Sequence, residues 1–261
     1  MPKLAANLSM MFTEVPFLER FAAAANAGFK GVEYLFPYDY PAKTIAKALQ
    51  DNDLENVLFN LPPGNWEAGD RGLAALPGRE TDFQALIDKA LEYAQVIGCP
   101  RLHVMAGIPP KGANPYACQR TYIENVRLAA ARAKDHDVTV LLEPINPRDI
   151  PGYYLNRQDD ALKTLDTVGA DNAALQMDLY HCQIVEGDVA MKIRANINRV
   201  AHFQIAGVPE RHEPDIGEVN YPYLFDLIDE LAFEGWIGCE YRPKRETRAG
   251  LGWAAPYGIS K

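Results

Sequence analysis

The stretch that most constrains the fold runs from Val138 to Asn146, where a short run of β-branched and aliphatic residues ends in Glu143 and Pro144. Apolar runs of this length and composition are typical of buried strands. Proline has no N–H to donate to a sheet, so the strand has to stop near Glu143. A buried strand with an acid at its carboxyl end is the arrangement by which an α/β barrel holds its reactive groups.

Three later apolar runs end in the same way, in Asp178, Gln204 and Glu240. Because side chains alternate between the two faces of a strand, one face of each run leads to this terminal oxygen-bearing side chain. If those faces point into a barrel, the four side chains meet at its top. One such acid alone is better explained by an ion pair with arginine. Clustered carboxylates repel one another, however, and a set of hard oxygen ligands suits Mg²⁺ or Mn²⁺, so Glu143, Asp178, Gln204 and Glu240 predict a divalent metal site.

The rest of the chain alternates short apolar runs with amphipathic stretches, which favours parallel βαβ units. The eight predicted strands are Leu4–Ser9, Gly31–Leu35, Leu54–Asn60, Leu102–Met105, Val138–Glu143, Leu175–Asp178, Ala201–Gln204 and Trp236–Glu240. Seven helices separate them, and the glycine-rich tail after Gly250 predicts that the eighth is short or missing. We therefore expect an α/β fold, a single (β/α)8 TIM barrel domain over residues 1–261, close to the roughly 250 residues typical of that fold.

One connection stands out for its length. Leu61 to Arg79 is rich in proline and glycine, and irregular loops this long in compact domains are usually functional or disordered. Trp66 and Leu73 argue against disorder because apolar side chains favour burial. We interpret this segment as a lid beside the site, with Trp66 as a candidate wall of the pocket.

The composition narrows the class of protein. The net charge of −9 opposes binding to nucleic acid. No apolar run approaches the ~20 residues of a membrane span, and the N-terminus has no secretory signal pattern. The four scattered cysteines form no CxxC pair, which is typical of reduced thiols in a cytoplasmic protein. We expect no nucleic-acid or membrane partner, and a homo-oligomer stays open.

Nine blocks of the chain resemble the hydroxypyruvate isomerase family, which lies within the xylose-isomerase-like group of TIM barrels. These blocks run essentially from end to end. They are Ala6–Met10, Glu33–Tyr38, Leu76–Glu80, Leu142–Asn146, Asp178–His181, His202–Ala206, Arg211–Pro214, Gly217–Tyr221 and Gly235–Tyr241. The resemblance implies metal ligation by Glu143, Asp178, Gln204 and Glu240. It also implies that Glu143 and Glu240 transfer the proton.

The reaction implied by this family interconverts hydroxypyruvate and tartronate semialdehyde (2-hydroxy-3-oxopropanoate) through a metal-stabilised enediolate. A divalent ion can stabilise the charge on both oxygens of such an intermediate, and a carboxylate on each side can act as acid and base. Close relatives include isomerases of four-carbon oxo-acids, and many sugar epimerases of the wider group carry histidine in place of Gln204. The alternatives are therefore a 2-oxo-tetronate isomerase or a ketose 3-epimerase.

Two further residues are candidates for binding the small hydroxy- or oxo-acid substrate. His181 lies three residues after Asp178, on a predicted loop, and Arg211 lies seven residues after Gln204. Arg211 offers a planar fork for a carboxylate, although a surface loop charge is the plainer interpretation of such an arginine. Glu33, His103 and His202 are given structural roles inside the strand pattern.

Two rival classes are weaker. A metal nuclease of the same barrel group would gather several metals with many histidines, and this chain has five. A non-catalytic sugar-binding barrel would not need two glutamates on opposite sides of a metal.

Overall fold

The computed structural model describes residues 1–259, and eight parallel strands in it close into a barrel. Each strand pairs with the next along the chain, and β1 pairs with β8 to complete the ring. The strands are β1 (Lys3–Asn7), β2 (Gly31–Tyr34), β3 (Glu55–Asn60), β4 (Arg101–His103), β5 (Thr139–Leu142), β6 (Ala173–Asp178), β7 (Val200–Ile205) and β8 (Trp236–Cys239). The predicted (β/α)8 barrel is therefore confirmed.

The helices pack around the outside of this barrel. They are α1 (Phe17–Asn26), α2 (Ala42–Asp51), α3 (Glu80–Ile97), α4 (Pro115–Lys134), α5 (Gln158–Val168), α6 (Leu179–Val185), α7 (Val189–Asn196), α8 (Tyr221–Glu230) and α9 (Thr247–Gly250). The last is only four residues long and continues into a 3₁₀ turn at Leu251–Tyr257, which confirms the short eighth helical segment predicted from the glycine-rich tail.

Two details of the sequence-based prediction are wrong. The strand of Glu143 ends one residue earlier, at Leu142, and that of Glu240 ends at Cys239. His181 does not lie on a loop, because a seven-residue helix, α6, begins immediately after β6. Asp178 starts this helix: its Oδ1 accepts a hydrogen bond of 2.8 Å from the N–H of Tyr180. A side chain that caps a helix in this way satisfies one of its unpaired N–H groups.

The alternation along the strands divides the apolar residues into two layers. On β5, Val140 and Leu142 face outward into the large core beneath the helices, whereas Leu141 faces the lumen. Ala5, Val57, Leu58 and Leu141 fill the lumen, with Ala174, Ala201 and Trp236 packed against them. Glu143 lies two residues after Leu141, as expected for the lumen face. The barrel is therefore a packed core rather than a pore, and polar side chains share its interior.

None of the helices in the described part of the chain is both long enough and apolar enough to cross a bilayer.

Candidate active site

A cavity of about 480 Å³ opens at the end of the barrel to which the strands point. Glu143 and Glu240 line it, and Asp178 lies in the same cluster of side chains. We call Glu143, Asp178 and Glu240 the floor of the cavity. All three are at least 95% buried, so the protein holds three acidic groups away from water in one place. Burying carboxylates is costly unless a cation or hydrogen bonds compensate.

The floor has the geometry of a cation site. Ligand atoms of Glu143, Asp178, Glu240 and His181 all lie within 4.8 Å of one another. Asp178 uses Oδ1 to cap α6, but its Oδ2 is buried and has no hydrogen-bond partner among the described residues. A buried carboxylate oxygen without a donor is rare, and a bound cation is one explanation for it. The carboxylates of this buried group could therefore hold a metal ion, with His181 beside them.

Arg211 is the cation that the protein itself supplies to the floor. Its Nη2 lies 2.5 Å from Glu240 Oε2 and 3.5 Å from Asp178 Oδ2. Its Nη1 lies 2.8 Å from Asp149 Oδ2, and its Nε donates to the backbone oxygen of Glu240 at 3.3 Å. Every nitrogen of this guanidinium therefore already has a partner. Sequence reasoning placed Arg211 at the substrate; the structure brings it to the site but engages it with acids of the protein.

The pKa values of the floor follow from burial and like charge. Burial, together with the charges of Glu240 and Asp178, raises the pKa of Glu143 well above its ordinary value. Burial raises the pKa of Glu240 to about 8, although Arg211 works in the opposite direction. Burial raises the pKa of Asp178 to about 6, against the effects of Arg211 and two backbone N–H groups. Without a further cation, the three carboxyls resist ionising together at neutral pH.

His181 is oriented by Asn146, a residue to which the sequence had assigned no role of its own. Asn146 Oδ1 accepts from the N–H groups of Arg148 and Asp149, at 3.0 and 2.9 Å, which fixes the orientation of its amide. The amide nitrogen then donates to His181 Nδ1 at 2.6 Å. Burial, with Arg211 and His103, lowers the pKa of His181 well below its ordinary value, so the ring is neutral and its proton lies on Nε2.

This tautomer makes His181 Nε2 a hydrogen-bond donor. The atom lies 3.5 Å from Asp178 Oδ2 and 3.7 Å from Glu143 Oε1, beside the floor and facing the cavity. A protonated ring nitrogen cannot ligate a metal, so distance alone overstates His181 as a ligand. A donor in this position suits an oxygen of the substrate, which is the role that the sequence predicted for His181. That role stays a prediction.

Gln204 lies on β7, one layer deeper in the barrel than Glu143 and Glu240, which follow the ends of their strands. Its Cα pairs with those of Asp178 and Gly238 on the neighbouring strands. Its Nε2 donates to Glu33 Oε1 at 2.9 Å, and its Oε1 accepts from Gln176 Nε2 at 2.6 Å. With its Nε2 donating to Glu33, the amide of Gln204 turns its oxygen toward Gln176. One lone pair of this oxygen stays available, and metal ligation by Gln204 stays a prediction.

Glu33 connects this deeper layer to the floor. Its Oε1 accepts from Asn7 Nδ2 at 2.9 Å, and the same amide nitrogen donates to Glu240 Oε1 at 3.2 Å. Its Oε2 lies 2.6 Å from His202 Nε2. Gly238 makes room for this carboxylate, because a Cβ at that position would lie 2.2 Å from Glu33 Oε2. The structural role expected of Glu33 is thus to hold the network from which Asn7 reaches Glu240.

His103 is not a satisfied core histidine, contrary to the expectation from the strand pattern. It lines the cavity, and its Nδ1 lies 3.2 Å from Glu143 Oε2. Neither ring nitrogen has a hydrogen bond within the described residues, and burial lowers the pKa of the ring to about 3. His103 is therefore a neutral group beside Glu143, and it belongs to the site.

The lining of the cavity also includes cationic side chains. Arg71, Arg148 and Arg242 all line it, and none of them forms an ion pair with a carboxylate within residues 1–259. We call these three arginines the rim. Arg71 belongs to the long loop, whose tip is exposed between Asn65 and Gly69 while Gly72 to Leu76 are buried. A bridge from Gly72 to Ala106 anchors this base beside the site.

Trp66, the candidate wall of the pocket, lines the cavity and is 41% exposed. Tyr153 is instead buried, where its hydroxyl accepts from the N–H of Ala106 at 2.8 Å. Trp253 packs against Tyr241 and Phe225, away from the cavity. The expectation that the long loop lies beside the site agrees with this arrangement, and its closure over the site stays a prediction.

Comparison with known proteins gives three kinds of match. Residues 21–257 match the model of a family described as xylose isomerase-like TIM barrel. The chain is 60% identical to a 2-oxo-tetronate isomerase of Cupriavidus necator, over 98% of this chain and 99% of that protein. It is 44% identical to the hydroxypyruvate isomerase of Escherichia coli, over 98% of this chain and all of that protein.

Among solved structures, one from Brucella melitensis bears the name AP endonuclease, family 2. It superposes with a TM-score of 0.97 at 52% identity, over 99% of this chain and all of that one. Known structures therefore reproduce the barrel along its whole length.

Proposed function

The chain belongs to the xylose isomerase-like TIM barrel family and is an isomerase; we propose that it moves a carbonyl group between C2 and C3 of a small 2-oxo acid, with 2-oxo-tetronate as the first candidate. The observation that carries this proposal is the pair of glutamates in the floor. Glu143 and Glu240 line one cavity, with carboxylate oxygens within 4.8 Å of each other; the pKa of Glu143 is raised well above its ordinary value and that of Glu240 to about 8. Such groups suit proton transfer near neutral pH.

The chemistry requires one acid–base pair and no redox partner. One carboxylate removes the proton from C3, and the electron pair of that C–H bond forms the C2–C3 double bond of an enediolate. The C3 hydroxyl proton leaves as its oxygen becomes the new carbonyl, the C2 oxygen gains a proton, and C2 receives a proton from the second carboxyl group. Atoms and electrons balance because substrate and product are isomers.

The surroundings of the two glutamates differ enough to suggest their roles. Glu240 contacts Arg211 and accepts from Asn7, and both contacts favour its ionised form. Glu143 instead faces two neutral histidines, His103 and His181, and has the neighbouring acids to oppose its ionisation. We assign Glu240 as the base that removes the proton from C3 of the 2-oxo acid and Glu143 as the acid that delivers a proton to C2. The roles exchange in the reverse reaction.

The oxygens of the intermediate need donors and positive charge. His181 Nε2 is a fixed donor that does not have to reorganise during the reaction, which is the property that makes such groups effective. Glu143, Asp178 and Glu240, with Gln204 as the predicted fourth ligand, suit Mg²⁺ or Mn²⁺ because all four offer hard oxygens. When bound, such an ion supplies positive charge for the two substrate oxygens.

The choice of 2-oxo-tetronate rests on the relatives. The resemblance to the hydroxypyruvate isomerase family put hydroxypyruvate first, but identity to the isomerase of C. necator is 60%, against 44% to the hydroxypyruvate isomerase of E. coli. The two acids undergo the same reaction and differ by one CH₂OH group on C3. A ketose 3-epimerase is the remaining alternative, and its substrate carries no carboxylate for the cationic rim.

A metal nuclease has less support, although the Brucella structure bears an endonuclease name. The net charge of −9 opposes the approach of a polyanion.

The test is to incubate the metal-supplemented protein with 2-oxo-tetronate, hydroxypyruvate or a free ketose, and to follow each reaction by NMR. We expect the highest kcat/KM for 2-oxo-tetronate, above the ~10⁴ M⁻¹s⁻¹ typical of working enzymes, and a lower value for hydroxypyruvate. Faster turnover of the ketose than of either acid would overturn the proposed substrate class.

A further inference from the structure

Arg71 is held in place by an aromatic ring and by two hydrogen bonds. The centre of its guanidinium lies 3.6 Å from the centroid of the Trp66 ring, and Trp66 in turn packs against Phe36 at 5.4 Å. Its Nη1 donates to the backbone oxygens of Asp70 at 2.7 Å and of Trp66 at 3.1 Å. The stack and these two bonds fix the plane of the guanidinium against the wall of the cavity, so little side-chain freedom is left to lose on binding.

The other edge of this guanidinium is available. No hydrogen bond or ion pair within residues 1–259 uses Nε or Nη2 of Arg71. These two nitrogens form one of the edges with which arginine binds a carboxylate through two parallel hydrogen bonds. Arg211 has no such edge, because its Nε, Nη1 and Nη2 are all taken by Glu240 and Asp149.

The structure therefore assigns the recognition of the substrate carboxylate to Arg71, seated on Trp66, and not to Arg211. This inference rests on the proposed function, because it takes the substrate to be a small oxo-acid. Arg71 and the two glutamates line the same cavity of about 480 Å³. Arg148 and Arg242, which are exposed, add positive potential at the entrance without a fixed edge of their own.

This assignment explains how an isomerase with this fold and these floor carboxylates could select acids over neutral ketoses. An ionised carboxylate satisfies the free edge of Arg71, whereas a neutral sugar leaves it without a charged partner. Loss of one hydrogen bond to a charged group typically lowers affinity about 10- to 100-fold. The selectivity lies in a loop outside the barrel, and the proton-transfer groups directly follow two of its strands.

The experiment measures the binding of two dead-end ligands by calorimetry and the kinetics of each variant in parallel. The ligands are erythronate, a four-carbon acid without the oxo group, and erythritol, its neutral counterpart. The variants are Arg71→Met, which removes the fork and keeps the apolar stem, and Arg71→Lys, which keeps the charge alone. Arg194→Met is the matched control, because Arg194 is an exposed arginine on α7 that does not line the cavity.

We expect Arg71→Met to weaken erythronate about 10- to 100-fold and to raise KM for 2-oxo-tetronate by a similar factor, with little change in kcat. Arg71→Lys should fall between this variant and the wild type, because a point charge lacks the planar fork. Erythritol binding should not change, and Arg194→Met should match the wild type throughout. Thermal midpoints of all variants within a few degrees of one another confirm that the fold is intact.

The two proposals can fail separately. If Arg71→Met binds erythronate and turns over 2-oxo-tetronate like the wild type, the assignment of Arg71 is wrong while the isomerase stands. If erythronate binding depends on Arg71 but none of the oxo-acids is isomerised, the carboxylate site stands and the proposed substrate is wrong. A loss of affinity for erythritol equal to the loss for erythronate would also overturn the assignment, since Arg71 would then shape the pocket without reading charge.

Discussion

The floor and the rim of one cavity carry opposite charges, and their charges are compensated in different ways. The floor buries three acidic groups and saturates its one arginine, Arg211, with carboxylates of the protein. The rim presents Arg71, Arg148 and Arg242 to the same space without a carboxylate partner among residues 1–259. Negative charge on the floor that is not fully compensated favours the binding of a cation and raises the pKa values of the floor carboxyl groups. Positive charge on the rim that has no carboxylate partner favours the binding of an anion. We infer that the floor carries the chemistry and the rim carries the selection of acids.

The largest effect should come from removing a proton-transfer group of the floor. Glu240→Gln and Glu143→Gln each keep the size of the side chain and one oxygen but remove the titratable carboxyl. Loss of a general acid or base typically costs ~10²–10⁴ in rate, so steady-state kinetics should show kcat reduced by that factor and KM changed far less. A variant that keeps near wild-type kcat would remove its residue from the mechanism and break the division between floor and rim.

Removal of metal should act on the floor alone. We expect exhaustive chelation to abolish most activity and to lower the thermal midpoint, and Mg²⁺ or Mn²⁺ at 100 times its dissociation constant to restore ~2.7 kcal/mol of stability. Differential scanning fluorimetry with and without added metal measures this. Glu240→Gln is the matched control, because it lacks one predicted ligand and should gain less. No stabilisation of the wild type by any divalent ion would contradict the metal site, although two carboxylates could still move a proton.

A smaller effect concerns the pH dependence of the metal-free protein. The pKa of Glu240 is raised in the fold from 4.5 to about 8, so the unfolded chain ionises this group first. Its contribution to stability is complete below pH 4.5 and is lost as the pH rises through about 8. The thermal midpoint of metal-free wild type should therefore fall relative to that of Glu240→Gln across this range. His103 and His181 titrate in both proteins and cancel in the difference.

The outcome that would refute this prediction is a difference in midpoint that stays constant or changes sign over that pH range. Saturating metal should reverse the trend, because metal competes with protons for the same carboxylates. If it does, the raised pKa values and the cation site are two consequences of the same cluster.

The smallest effect is expected at the exposed part of the rim. Arg242→Met should raise KM for the acid substrate only about two- to three-fold, because an exposed charge is screened and has no fixed partner. The increase should disappear in 1 M salt, where the screening length is only ~3 Å. If Arg242→Met costs as much as Arg71→Met, then general positive charge, and not the stacked fork of Arg71, selects the acid.

The sequence could predict the floor because strand periodicity is local. Glu143, Asp178, Gln204 and Glu240 each follow an inward-facing position of their own strand, so the pattern of alternating residues places them in the lumen without any tertiary information. The barrel could be predicted because apolar strand runs alternate with amphipathic helical stretches along the chain. Helix α6 was not predicted because it is only seven residues long and follows Asp178 directly. Asp178 is both the last residue of β6 and the N-cap of α6, so the sequence shows no break between the two elements.

The partners of each group could not be predicted, because they come from distant segments. Arg211 meets Asp149 across 62 residues of sequence, and that contact occupies the nitrogen that the sequence left for a substrate. The sequence predicts a core position for His103 because its strand is buried. In the structure its side chain contacts Glu143, which follows the neighbouring strand β5. Arg71 lies in a loop whose irregular sequence gives no position for its side chain. A signal was present in Trp66, because an aromatic side chain in a proline- and glycine-rich loop favours a packed position.

The most direct test of proton transfer between two floor glutamates is deuterium incorporation during the isomerisation of 2-oxo-tetronate in D₂O, measured by NMR at low conversion. One carboxyl removes the proton from C3 and another, exchanged with solvent, delivers a deuteron to C2, so we predict close to one deuterium per product molecule. Glu240→Gln should incorporate deuterium only as slowly as it turns over. Product that forms at the wild-type rate with all of its original hydrogen retained would mean direct transfer between the two carbons, and would contradict the roles of Glu240 as base and Glu143 as acid.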